Sequence, residues 1–140
     1  MKRVLYFIAA LLTISLSWQC QYLNIDMPSP HPFVFGDTLQ LEYGQTINLL
    51  PENIEIRFDS IVSESRCPAT VECIWAGLAE VKLQFAQGSA TQTGLLNTLN
   101  DPEFIIVFGK TVRLIDVLPY PQVPEVIIPQ EDYKIRIVVE

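Results

Sequence analysis

Along most of this chain the apolar side chains fall at every second position, the period of a β-strand with one buried face. Leu39, Leu41 and Tyr43 alternate with Thr38, Gln40 and Glu42. Ile47 and Leu49 resume the pattern after a Gly44-Gln45 turn. Ile54, Ile56 and Phe58 alternate with Glu55, Arg57 and Asp59, and Ala79, Val81, Leu83 and Phe85 with Glu80, Lys82 and Gln84. Tyr133, Ile135, Ile137 and Val139 close the chain in the same way. Two further segments read less simply. Phe104 to Phe108 is continuously apolar, as in a strand buried on both faces, and Val112 to Leu118 is strand-like with an ambiguous register. Breakers separate the runs: Gln87-Gly88-Ser89, Asn100-Asp101-Pro102, Gly109-Lys110 and the proline-rich stretch from Pro119 to Pro129. About seven or eight short strands with frequent turns predict an all-β domain. An antiparallel β-sandwich of immunoglobulin-domain size is the expected form, because two such sheets bury one core between them. The strand order is not readable from the pattern.

The sandwich is expected to occupy residues 36–140. Ahead of it, Met1-Lys2-Arg3 and the apolar run Val4 to Leu16 have the charge and length of a signal peptide, placed at 1–19. The run falls short of the roughly 20 apolar residues that span a bilayer. Residues 20–35 hold Pro28, Pro30 and Pro32 and read as an extended tether. With the leader and its two cations removed, the formal charge moves from −7 to −9. Such an acidic domain is a poor match for nucleic acid or for an electrostatic grip on anionic lipid.

Export makes disulfides reasonable, and the chain has three cysteines. Cys67 and Cys73 bracket a short loop and are expected to pair. Cys20 is left over, and it stands where the apolar run ends, the place of a lipidated cysteine. Gln19 before it departs from the small residue that a lipidation site prefers, and ordinary cleavage after Ser17 is the competing reading. The expected localisation is the bacterial cell envelope, lipid-anchored at the outer membrane or periplasm, with secretion as the alternative.

Catalytic sets are sparse. The single histidine, His31, lies in the tether, a poor place for a general base. No phosphate loop or metal-ligand spacing appears, so no cofactor or metal is expected. Asp59, Glu64 and Glu72 are the remaining carboxylates near the disulfide, and solvated loop carboxylates are far commoner than catalytic ones. The chain is therefore expected to be no enzyme.

The most distinctive segment runs Glu64-Ser65-Arg66-Cys67-Pro68, then Cys73-Ile74-Trp75-Ala76-Gly77. It resembles a motif of small uncharacterised lipoproteins and exported proteins frequent in the Bacteroidetes. Those proteins often carry Asp where this chain has Glu64. The likeness extends to the Gly44-Gln45 turn, Leu118-Pro119-Tyr120-Pro121 and the Asp132-Tyr133 strand. It implies export, a disulfide and a β-domain, and it names no reaction. Read physically, Pro68 stiffens the loop, Trp75 lies against the sulfurs and caps the core, and Gly77 permits a bend. Arg66 is expected to pair with Glu64, Asp59 or Glu72, or to bind loop carbonyls. The functional alternative makes the rigid loop a recognition edge, with Arg66, Trp75, Glu64 and Glu72 as candidate contacts. The expected function is thus a non-enzymatic envelope lipoprotein that binds an unknown protein or ligand, or serves an accessory role. The runner-up is a protease-inhibitor-like protein or an unrecognised enzyme presenting the Arg66 loop. Burial of both Arg66 and Trp75 favours a scaffold, and exposure of both favours binding.

Overall fold

The computed structural model describes residues 36–99 and 104–140. The leader, Cys20, His31, the tether and the Asn100-Asp101-Pro102 turn lie outside the described residues.

Eight strands form two antiparallel four-stranded sheets, the expected β-sandwich. They are β1 (Thr38–Glu42), β2 (Thr46–Leu49), β3 (Ile54–Glu64), β4 (Ala79–Gln87), β5 (Ala90–Asn97), β6 (Phe104–Val107), β7 (Lys110–Leu118) and β8 (Lys134–Val139). One sheet has the order β1-β8-β7-β6 and the other β2-β3-β4-β5. The second sheet is a plain meander. In the first, β6, β7 and β8 form a meander that β1 completes from the far end of the sequence.

Alternation explains the packing. Leu41, Ile56, Phe58, Val81, Leu83, Phe85, Ile135 and Ile137 are all fully buried between the sheets. Fully burying one such side chain stabilises by about 1.5–3 kcal/mol, so a charge at any of these positions would be severely destabilising. The chain changes sheets within two residues. The Tyr43 amide donates to Tyr133 in one sheet, and Gly44 and Gln45 are already bonded to Phe58 in the other. Gly44 has φ +74°, which suits this tight corner.

Two strands depart from their sequence reading. Phe104 to Phe108 is not buried on both faces: Phe104 is 46% and Ile106 69% exposed, and only Val107 of the strand is buried. The cause is position. β6 is an edge strand whose outer face is left to solvent, with the Arg113 guanidinium carbon over the Phe104 ring, 5.7 Å from its centroid. The second departure is β5, Ala-Thr-Gln-Thr-Gly-Leu-Leu-Asn, which has no alternation to reveal it. The β4 ladder holds it, and Gly94 leaves the space that Ile105 of the opposite sheet fills; a Cβ there would stand 2.2 Å from Ile105 Cδ1. β7 resolves its register against β8, with an irregularity between Leu114 and Asp116.

The two ends of the sandwich differ. At one end the chain enters, where the Gly36 amide donates to Val139 O. The β4–β5 and β6–β7 turns lie there too, and Lys110 Nζ meets Glu52 Oε1 at 2.9 Å. At the other end β3 passes into the disulfide loop, and β7 passes into the long connection that leads to β8.

Candidate functional site

The disulfide loop extends the β3–β4 hairpin past the sheet. Ser65 N–H donates to Leu78 O at 2.8 Å and Cys67 N–H to Ala76 O at 2.9 Å. Gly77 sits inside this narrow ladder at φ +66°, and a Cβ on it would lie 1.7 Å from Ser65 O. No other residue type fits that position without opening the strands. Cys67 and Cys73 are bonded, as expected, with Cα atoms 5.9 Å apart.

The loop also leans on the β7–β8 connection. Ala69 N–H donates to Pro121 O at 3.0 Å and Thr70 N–H to Gln122 O at 3.1 Å. The Thr70 hydroxyl adds a bond to Gln122 O, and the Tyr120 hydroxyl donates to Cys67 O at 2.9 Å. Four hydrogen bonds thus join the disulfide loop to the connection.

Arg66 ties the joined loops to the sandwich. It is 7% exposed, the only charged residue buried among the described residues. Its Nε donates to Glu64 Oε1 at 2.9 Å, and Nη2 also donates to the Glu64 carboxylate. Nη1 donates to Val117 O at 2.6 Å and Nη2 to Pro119 O at 3.0 Å, and the guanidinium carbon lies 5.0 Å from the Tyr120 ring centroid. Of the partners the sequence offered, Glu64 and backbone carbonyls are the ones used. Asp59 is engaged elsewhere, with Lys82 Nζ at 3.1 Å and Gln84 Nε2 at 2.6 Å. Glu72 is exposed in the loop.

Tyr133 completes the cluster by donating its hydroxyl to Glu64 Oε2 at 3.2 Å. Burial pushes its phenol up to about 12, and the adjacent Glu64 carboxylate adds to the rise. Between the ordinary value of 10.0 and about 12 the unfolded chain gives up a proton that the native chain keeps. Stability from this group is therefore full below pH 10 and is lost as pH rises through that window. Urea unfolding from pH 8 upward is expected to show the decline, and Tyr133→Phe is expected to flatten it; an equal decline in both would remove Tyr133 as the cause.

Trp75 corrects the sequence reading. It does not cap the core: it is 73% exposed, and Ile74 beside it is 95% exposed. The ladder explains why. With Cys67 bonded to Ala76 and Gly77 pinned against Ser65, the segment carrying Ile74 and Trp75 projects past the last core layer. The two residues of the proposed discriminator therefore divide, Arg66 buried and Trp75 exposed. Sequence reasoning missed Ile74, Tyr120 and Gln130. The Gln130 side-chain amide exchanges bonds with both backbone groups of Ile61, at 2.9 and 2.8 Å, where β3 is irregular. No pattern marks such a residue, because its partner lies 69 positions away.

An open groove of about 400 Å³ runs between the end of β3 and the connection, lined by Ile61, Val62, Glu64, Pro121, Val126 and Tyr133. Of the two carboxylates that line it, Glu64 is committed to Arg66 and Tyr133, and Glu125 is exposed. Asp59, Glu64 and Glu72 do not converge on a common point, and no group of three His, Cys, Asp or Glu side chains suited to a metal occurs among the described residues.

The disulfide closes a short loop, which in the chain-entropy view restrains the unfolded state by about 2 kcal/mol. Cys67→Ala is expected to lower the melting temperature of the oxidised protein and to leave that of the reduced protein nearly unchanged. Equal effects in both forms would count against this account.

Fold and loop together define a disulfide-clasped, two-sheet antiparallel β-sandwich. Comparison with known proteins finds no matching family, no matching curated protein and no matching solved structure.

Proposed function

We propose that this chain is a non-enzymatic lipoprotein of the bacterial cell envelope, anchored through Cys20, whose sandwich binds another protein through the disulfide-clasped loop. The observation that carries the reading is the exposure of Ile74 and Trp75, 95% and 73%, on a loop fixed by a disulfide, a buried arginine and a neighbouring connection. A large apolar side chain held in water gains on being covered, and a rigid loop loses little conformational freedom when it docks. Tryptophan is a common anchor of interfaces for this reason. The anchor and the export route rest on Met1 to Leu16 and on Cys20. An inhibitor-like role uses the same rigid loop, with Trp75 rather than Arg66 outermost, because Arg66 is engaged inside.

Two variants test the two halves of this reading. Cys20→Ala is expected to move the protein from the membrane to the soluble fraction, and unchanged fractionation would remove the anchor. Trp75→Ala is expected to keep the melting temperature and to lose a protein that the wild type retains in a pull-down from native envelopes. An interface anchor of this kind contributes about 2 kcal/mol or more, so affinity is expected to fall roughly thirtyfold. Equal retention by the variant would show that the loop is not the contact.

A further inference from the structure

We infer that the Trp75 loop takes a protein partner whose apolar cleft is rimmed by cations. This deepens the proposed function and rests on it.

The first argument is where the chain enters. The chain enters the sandwich at Gly36, which is bonded to Val139 at the end of β8. β1 then runs the length of the sheet, from Thr38 opposite Val138 to Glu42 opposite Lys134. Val117 and Pro119, which bind Arg66, stand at the far end of β7. Gly36 and the loop are thus at opposite ends of one sheet, separated by about 20 Å of strand at roughly 3.4 Å per residue. The hairpin extension carries Ile74 and Trp75 further still in the same direction.

The second argument is charge. The loop from Ser65 to Leu78 contains one cation, Arg66, and it is buried. The connection from Pro119 to Asp132 contains none. Glu72, Glu125, Glu131 and Asp132 are all exposed on these two segments. Around the tip the apolar side chains Val71, Val123, Val126 and Ile127 are exposed as well. Val71 and Val123 directly follow Thr70 and Gln122, where the two segments are joined. These two segments, with their apolar tip and exposed carboxylates, lack the Lys and Arg of segments that lie in anionic lipid; Arg113 of β7, which shares a pocket with Ala76 and Gly77, is turned over the Phe104 ring and has Asp116 in the same pocket. The two segments complement a protein surface of the opposite sign, which also steers the encounter.

Tryptophan supplies the probe. The chain has Trp18 and Trp75, so cleavage before Cys20 leaves Trp75 as the only tryptophan, excited selectively at wavelengths beyond tyrosine absorption. The lipidated mature protein is placed in vesicles of zwitterionic and anionic phospholipid with brominated acyl chains. Trp75 emission is expected to be unquenched by the lipid. At low salt it is expected to be quenched by caesium at least about twice as strongly as by iodide, the anion being repelled by the acidic border. Glu72→Gln is expected to narrow that ratio. Quenching by brominated lipid would make lipid rather than protein the occupant and overturn the inference, and equal quenching by the two ions would overturn the acidic border.

The partner is read by a photo-crosslinking residue at Ile74, compared with one at Ser89 on the opposite end, in intact envelopes. Adducts to another protein from position 74, weakened by salt or by Glu72→Gln, support the inference. Lipid adducts, adducts to a second copy of this chain, or salt-independent adducts overturn it. Protein adducts from position 89 instead would leave a binding module whose working end is wrongly assigned. Adducts from neither position would remove the binding reading itself.

Discussion

Gly77→Ala is expected to destabilise the protein by about 3–5 kcal/mol, as much as a large cavity in the core, although it adds only one methyl group. Two terms act together. The residue has φ +66°, where a side chain is strained, and the added Cβ would stand 1.7 Å from Ser65 O and 3.1 Å from Arg66 Cα. Backbone cannot step aside as a flexible side chain can, so the Cys67–Ala76 and Ser65–Leu78 bonds must open. Gly88→Ala is the control. Gly88 has φ +60° in the β4–β5 turn, and nothing lies within 4 Å of its ideal Cβ. It carries the conformational penalty without the collision, about 1 kcal/mol. Urea unfolding of the two variants separates the terms. Near-equal losses would show that the ladder around Gly77 accommodates a side chain and that the loop is looser than its geometry implies. If Gly77→Ala fails to fold outright, the collision is larger still.

How much of this was legible beforehand differs by residue, and the reason is physical. Ile56, Phe58, Leu83 and Ile135 announced themselves, because a strand with one wet face must alternate and each of their neighbours is polar or charged. The β5 strand did not, because a strand can be held by its neighbour's backbone, and Thr91, Gln92 and Thr93 bury almost nothing. Phe104 and Ile106 misled, since continuous apolar sequence signals a central strand only if both faces are covered, and which strand ends up at an edge is decided by topology. At the site, the Cys67–Cys73 bond was legible from the short loop that the two cysteines bracket. The fate of Trp75 was not. A tryptophan beside a disulfide is ordinarily core, and only the Gly77 ladder, which fixes the direction of the hairpin, turns it outward. Tyr133 was placed correctly as an inward residue, although the strand begins one residue later, at Lys134, and its hydroxyl bond to Glu64 joins residues 69 apart that no local pattern relates.

Arg66→Met is expected to cost about 3–5 kcal/mol, because it strands the groups that the guanidinium now satisfies. Val117 O and Pro119 O lose a charged donor, and the Glu64 carboxylate keeps its charge with only the Tyr133 hydroxyl and the Arg66 backbone amide beside it. A methionine retains the length and apolar stem, so the loss reports the charge and the hydrogen bonds rather than volume. Arg66→Lys keeps the charge and still fails to reproduce the fork, since one ammonium cannot reach Glu64 and two carbonyls on a different strand with the same planar geometry. It is expected to lose roughly half as much as the methionine variant, by the scale of charged hydrogen bonds at about 1.5–3 kcal/mol. Combining Arg66→Met with Glu64→Gln removes the stranded anion, so the double variant is expected to lie closer to wild type than the sum of its parts, with a coupling of about 1–3 kcal/mol. The site makes a further demand that core stability alone does not. Since Arg66 joins the disulfide loop to the end of β7, its loss is expected to release that loop, and the anisotropy of Trp75 emission is expected to fall at temperatures where the sandwich is still folded. Wild-type anisotropy in an otherwise destabilised Arg66→Met protein would mean that the disulfide and the Pro121–Gln122 bonds hold the loop by themselves, and that Arg66 serves only the sandwich.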